Sequence, residues 1–109
     1  MTILNGLKIL DFSSLLPGPL ATMMFADLGA EVIHIESERR VDLMRIMPPY
    51  DEDRESYIHQ HLNRSKKSLQ LNLKSDEGTD IIKKLVQDYD IVIEGFRPGV
   101  MKRLGIDYE

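Results

Sequence analysis

Lys8-Ile9-Leu10-Asp11-Phe12, continued by Ser13-Ser14-Leu15-Leu16-Pro17-Gly18-Pro19 and answered by Glu31-Val32-Ile33-His34-Ile35-Glu36, is the stretch that decides the fold. Lys8 to Phe12 is a short apolar run with a β-branched residue, the pattern of a buried strand. Ser13 to Pro19 reads as a turn, and Pro19 suits the first turn of a helix, where its missing N–H costs nothing. Leu20 to Leu28 then reads as that helix, with Gly29 as its left-handed C-terminal cap. Glu31 to Glu36 is the next strand. Strand, helix and strand in so short a span mark a parallel sheet with a crossover helix, hence an α/β fold.

Outward from this unit, Ser37 to Asn63 is a long charged excursion that holds Pro48-Pro49 and keeps no sustained period. A short helix is expected near Ser56 to Leu62. Loops this long inside a compact domain are usually functional or mobile. Ser68 to Leu73 alternates Leu69, Leu71 and Leu73 with polar residues and reads as a strand with one buried face. Ser75 reads as a helix N-cap, with Asp76 and Glu77 favourably placed in the first turn. Ile81, Ile82, Leu85 and Val86 form an apolar stripe at helical spacing. Asp90 to Glu94 is another strand, and Pro98 opens a last short helix with Val100, Met101 and Leu104 that Gly105 ends. No internal repeat or low-complexity segment occurs. An open sheet of this size is expected to leave apolar surface or an edge uncovered.

Composition narrows the function classes. The chain has 109 residues, room for one domain at most, with 42% apolar and 29% charged residues, an ordinary globular balance. A net charge of −4 argues against a nucleic-acid partner, which would favour a basic face. The lack of cysteine removes disulfides, thiolate nucleophiles and cysteine metal sites, and fits a reducing compartment. No signal peptide and no membrane span are seen, so a cytoplasmic, membrane-free protein is expected. His59 and His61 stand two apart, which does not align them on a helix, and no acidic or cysteine ligand completes a metal set. His34 alternates with Ile33 and Ile35 as a strand residue. Asp11 at a strand end and Asp27 near a helix end read as structural carboxylates. There is no GxGxxG and no P-loop, and the two prolines after the first strand remove backbone donors, so a glycine-rich phosphate cradle is not expected.

Four segments together resemble the opening of class III CoA-transferases (the CaiB/BaiF family) and of their relative, α-methylacyl-CoA racemase. They are Gly6-Leu7-Lys8-Ile9-Leu10-Asp11-Phe12 leading to Pro17-Gly18-Pro19; Ala26-Asp27-Leu28-Gly29-Ala30-Glu31-Val32-Ile33 ending at Ile35-Glu36; Asn63-Arg64-Ser65-Lys66-Lys67-Ser68-Leu69 running into Leu71-Asn72-Leu73-Lys74; and Asp90-Ile91-Val92-Ile93-Glu94, Phe96-Arg97-Pro98-Gly99 and Arg103-Leu104-Gly105. The resemblance spans nearly the whole chain. It implies that residues 1–109 are the N-terminal part of a Rossmann-like parallel sheet with crossover helices, an incomplete portion of the family's fold. It implies coenzyme A or an acyl-CoA thioester as substrate, no permanently bound cofactor, and a homo-oligomer of two interlocked subunits.

The activity implied is CoA transfer between carboxylic acids, with 2-methylacyl-CoA racemisation as the alternative. The family's reacting carboxylate matches no position here, so no catalytic residue is expected, and the portion should not perform the reaction alone. A reading of a different class is a stand-alone nucleotide-binding or interaction module without chemistry.

For binding, the resemblance points to the strand end Leu71, Asn72, Leu73 and Lys74 around the adenine nucleotide, where Leu71 offers apolar contact and Lys74 a mobile point charge. It adds Arg103 near the phosphates with Leu104 beside it, and the turn Ser14, Leu15, Leu16 and Pro17 lining the cleft. A solvated lysine and a surface arginine at a helix C-terminus are the bland readings of the two cations. Family members often carry an arginine directly after the second-strand glutamate. Here Ser37 stands there, and Arg39 or Arg40 is long enough to reach the same phosphate. The basic run Asn63 to Lys67 is either a phosphate contact or a solvated face.

Overall fold

The computed structural model describes residues 3–108. The elements run β1 (Lys8–Asp11), α1 (Pro17–Asp27), β2 (Glu31–Ser37), a 3-10 turn (Leu43–Ile46), α2 (Tyr57–Leu62), β3 (Lys67–Leu71), α3 (Asp76–Leu85), a second 3-10 turn (Val86–Asp88), β4 (Ile91–Ile93) and α4 (Val100–Leu104). All strand pairs are parallel, in the order β3-β2-β1-β4. The chain steps outward from β1 to β2 to β3, then crosses back past β1 to lay down β4. This is the expected Rossmann-like α/β class, and its winding reverses between β1 and β4, the position at which open α/β sheets form a ligand crevice. Among the described residues, no helix is long and apolar enough to cross a membrane.

Alternation along the strands builds two cores, one on each face of the sheet. Ile9 and Val32 pack with Ala26 and Phe25 under α1, while Leu10, Ile35 and Leu71 pack with Ile82 under α3. Adjacent Ile9 and Leu10 fall in different cores because successive strand residues point to opposite faces. Both are 0% exposed, as befits a strand flanked on both sides.

Local chemistry sets the element ends. Helix α1 begins at Pro17, earlier than the expected Leu20, and it has proline in its first turn and no side-chain cap. Both prolines sit where helical N–H groups have no partner. Gly18 is required there, because a Cβ at that position would overlap the Ser13 side chain. Strand β3 ends at Leu71, short of the expected Leu73. The Asn72 carbonyl accepts from the Ser75 N–H at 3.1 Å and from Ser75 Oγ at 2.8 Å, which turns the chain before another strand residue can add. Ser75 is the expected N-cap, its Oγ accepting from the Gly78 N–H at 3.0 Å. The apolar stripe of α3 is narrower than its spacing suggested: Ile82 is buried, whereas Ile81 and Val86 are 42% and 41% exposed. The last helix starts at Val100 and not at Pro98, because Gly99 adopts a left-handed backbone with φ 86°.

Candidate functional site

A cleft of about 500 Å³ opens between the start of α3 and the helix α4, lined by Leu73, Lys74, Ser75, Asp76, Thr79, Val100, Arg103 and Leu104. Its two cations come from parts of the chain that follow opposite edge strands, since β3 and β4 lie at the two ends of the sheet order. What reunites them is the segment after β4. Phe96 packs on Phe12, with ring centroids 6.5 Å apart and planes tilted by 59°, and Ile106 joins the core under α3. These anchors fold α4 back across the sheet toward α3. Among the described residues, no salt bridge engages Lys74 or Arg103.

Four of the residues singled out from the sequence, Leu73, Lys74, Arg103 and Leu104, thus meet at one cleft. The others are placed elsewhere. Leu71 does not form the cleft wall; it is buried in the core against Ile82, because its strand register turns it under α3. Asn72 shapes the turn, its Oδ1 accepting from the Lys74 N–H at 3.1 Å. Ser14, Leu15, Leu16 and Pro17 are exposed on the turn beyond β1, outside the lining of this cleft. Arg39 is exposed in the bend after β2. Ser37, where the resemblance led to the expectation of an arginine, uses its hydroxyl to hold that bend. It accepts from the Arg39 and Arg40 N–H groups at 3.2 and 3.3 Å. Ser75, Asp76, Thr79 and Val100 were not singled out as lining residues. Helical spacing could have found Thr79, one turn beyond the cap Ser75 on the same face.

The turn beyond β1 is held from below by a buried polar network. Asp11 is 0% exposed. Its Oδ1 accepts from the Ser13 N–H at 2.8 Å and from the Ser13 hydroxyl, and its Oδ2 accepts from Thr22 Oγ1 at 2.5 Å. Lys66 Nζ lies 3.6 Å from Asp11 Oδ2, with its side chain 1% exposed, and donates to the Pro19 carbonyl at 3.0 Å. Burial lowers the Lys66 pKa, and the carboxylate of Asp11 works against that. Leu15, at φ 67°, takes a left-handed backbone that costs a non-glycine residue about 1–2 kcal/mol. Its N–H donates to Asp42 Oδ1 at 3.3 Å.

The basic run Asn63 to Lys67 faces its own protein. Arg64 grips Asp27 with bonds of 3.0 and 2.6 Å and holds that carboxyl below its usual range. Lys67 lies 3.5 Å from Glu31, which also accepts from the Tyr89 hydroxyl at 2.6 Å. Burial and this bond push the Tyr89 phenol up to about 12. Asp11 and Asp27 therefore have structural partners.

Comparison with known proteins agrees with the order of these elements. The family model described as CoA-transferase family III matches residues 4–109. The succinyl-CoA:mesaconate CoA-transferase of Haloarcula marismortui is 41% identical over 113 aligned residues, covering 100% of this chain and 28% of that protein. The human succinyl-CoA:glutarate CoA-transferase is 42% identical over 106 residues, covering 97% of this chain and 24% of that protein. The crystal structure of a CAIB/BAIF family protein from Brucella suis superposes with a TM-score of 0.87 at 35% identity, over 98% of this chain and 29% of that one. The chain thus spans less than a third of the length of these relatives. With nearly every residue matched by the family model and the fold reproduced at this identity, the chain belongs to CoA-transferase family III.

Proposed function

We propose that residues 1–109 form the N-terminal, CoA-binding portion of a cytoplasmic acyl-CoA transferase that moves CoA between carboxylic acids. The observation that carries this reading is the cleft at which Lys74 and Arg103 converge with Leu73 and Leu104. Two cations that no salt bridge engages among the described residues suit the phosphates of the nucleotide end, and each well-formed charge-assisted contact contributes about 1.5–3 kcal/mol. The leucines suit the apolar face of the base. Asp76 on the same rim disfavours a second anion close to α3 and so favours a phosphate nearer Arg103. The portion supplies binding, and the reacting carboxylate comes from elsewhere in the longer protein.

Titration with CoA, dephospho-CoA and pantetheine, followed by NMR shifts, tests this. CoA is expected to perturb Lys74, Thr79 and Arg103, with weakening as salt rises, and pantetheine is expected to leave them unmoved. Lys74→Ala and Arg103→Ala should each weaken CoA binding on the order of tenfold, the equivalent of one charge-assisted contact. Equal perturbation by pantetheine, or unchanged affinity in both variants, would overturn the reading.

The protein is also proposed to be a homo-oligomer. Ile91 and Val92 on the edge strand β4 are 37% and 41% exposed, and Ile81 and Val86 are exposed on and just beyond α3. Apolar surface of this kind favours association. Sedimentation at micromolar concentration should give a dimer or larger species, and a monomer that binds no apolar dye would refute it.

A further inference from the structure

Beyond the cleft, the three asparagines of the chain stand in unlike surroundings. Two are engaged by their neighbours. Asn63 donates through Nδ2 to the His59 carbonyl at 3.0 Å and accepts at Oδ1 from Lys66 Nζ at 3.2 Å, and Asn72 Oδ1 accepts from the Lys74 N–H at 3.1 Å. Each is followed by a residue with a bulky side chain, Arg64 and Leu73. Asn5 is followed by Gly6, and both are exposed.

Leu4, Asn5, Gly6 and Leu7 form a β-turn, closed by the Leu7 N–H on the Leu4 carbonyl at 3.0 Å. Gly6, third in the turn, has φ 95°, and Asn5 is not among the residues of positive φ, so the turn is of type II. Its ends are fixed from outside. The Leu4 N–H donates to the Leu28 carbonyl at 3.0 Å, and the Leu7 carbonyl accepts from the Glu31 N–H at 2.8 Å. Among the described residues, no backbone hydrogen bond engages the Asn5–Gly6 peptide between them. A Cβ placed on Gly6 would meet no atom within 4 Å. This peptide can therefore rotate, as between type II and type I geometry, without breaking the bond that closes the turn.

We propose that Asn5 is a self-modification site, at which the Gly6 amide nitrogen attacks the Asn5 side chain and yields aspartate and isoaspartate through a succinimide. In the first step the Gly6 nitrogen bonds to Asn5 Cγ, the Cγ–Nδ2 bond breaks, and ammonia leaves with the former amide proton. Water then opens the ring. Opening at Cγ restores the original backbone and leaves an aspartate. Opening at the main-chain carbonyl leaves isoaspartate, with the chain routed through Cγ and the α-carboxylate free. Water is the only co-reactant, and nothing is oxidised or reduced.

The surroundings suit this chemistry. Gly6 carries no Cβ to hinder the approach of its nitrogen. The turn borders a cavity of about 380 Å³ that is also lined by Lys8, Glu31 and Lys67. Lys67 lies 3.5 Å from Glu31. Among the described residues, no salt bridge engages Lys8, whose Nζ lies 5.6 Å from the centre of the Tyr89 ring. A carboxylate formed at position 5 shares the cavity with this ammonium, and an opposite charge favours the ionised product.

This inference is independent of the CoA reading. The test incubates the folded chain at neutral and at mildly alkaline pH, beside Asn5→Gln, whose longer side chain would have to close a larger and less favourable ring. Isoelectric focusing should show a form with one more negative charge accumulating in the wild type. It should accumulate faster at the higher pH, because the deprotonated amide is the nucleophile. Peptide mass mapping should place the change at Asn5 and not at Asn63 or Asn72, and enzymatic methylation of isoaspartate should label the same peptide. Asn5→Gln should give no such form. A folded chain that gains no charge while a free peptide of residues 3–8 does, a change that arises first at Asn63 or Asn72, or a charged form that persists in Asn5→Gln would overturn the proposal.

Discussion

Asp11→Ala is expected to bring the chain to the edge of unfolding. The carboxylate is fully buried and holds the Ser13 N–H, two hydroxyl groups and the Lys66 ammonium at the end of the central strand. Removing it strands a buried cation, a loss that typically costs about 3–5 kcal/mol. Native domains have only about 5–15 kcal/mol in all. The reverse truncation should be milder. Lys66→Met removes the counter-charge of Asp11 but leaves its carboxylate the Ser13 and Thr22 donors, so the remaining buried charge is still hydrogen-bonded. Urea unfolding should rank the midpoints wild type, then Lys66→Met, then Asp11→Ala, with the double variant recovering part of the larger loss. Equal midpoints for the two single variants would show that Lys66 is not held by the carboxylate.

Gly78→Ala is the second large effect, and its sign is unusual. Within a helix, glycine to alanine ordinarily stabilises by about 0.5–1 kcal/mol. At Gly78, in the first turn of α3, a Cβ would overlap the Asn72 carbonyl, which is rigid backbone bonded to Ser75. Relief requires moving the helix start off the turn. That movement loses the Ser75 cap, worth about 1 kcal/mol, and adds overpacking strain of about 1–3 kcal/mol. At about 4–8 °C per kcal/mol for a chain near this size, a melting point lower by roughly 10 °C or more is expected in calorimetry. Gly95→Ala is the control, since a Cβ there meets nothing within 4 Å. A Gly78→Ala protein that melts at the wild-type temperature would refute the close approach. Because Lys74 lies in the same turn, the variant should also weaken CoA binding under the proposed reading.

Much of this was legible without the fold. The apolar run Lys8 to Phe12, the strand Glu31 to Glu36 and the cap Ser75 are written in nearest-neighbour chemistry, which depends on residues a few positions apart. The short helix in the excursion, expected near Ser56 to Leu62, is observed at Tyr57–Leu62. Element ends were less legible. The start of α1 and the stop of β3 turn on single contacts, Gly18 against Ser13 and Asn72 against Ser75, that spacing alone does not reveal. Leu71 shows the same limit at the candidate site. Alternation put Leu71 on the buried face of its strand, but did not say which helix would cover it.

By itself, then, the sequence determined the α/β class, the run of strands and helices, the caps and the family resemblance, because local periodicity and turn chemistry carry that information. Only the tertiary structure decided that β3 and β4 occupy opposite edges and that α4 folds back to bring Arg103 to Lys74. It alone turned Lys66 inward onto Asp11, paired Arg64 with Asp27 at the surface, and buried both His34 and His59. The physical reason is range. Which edge a strand takes and which carboxylate a lysine meets depend on packing between residues far apart in the chain, and long side chains such as lysine and arginine read the same in sequence whether they end in solvent or in a core.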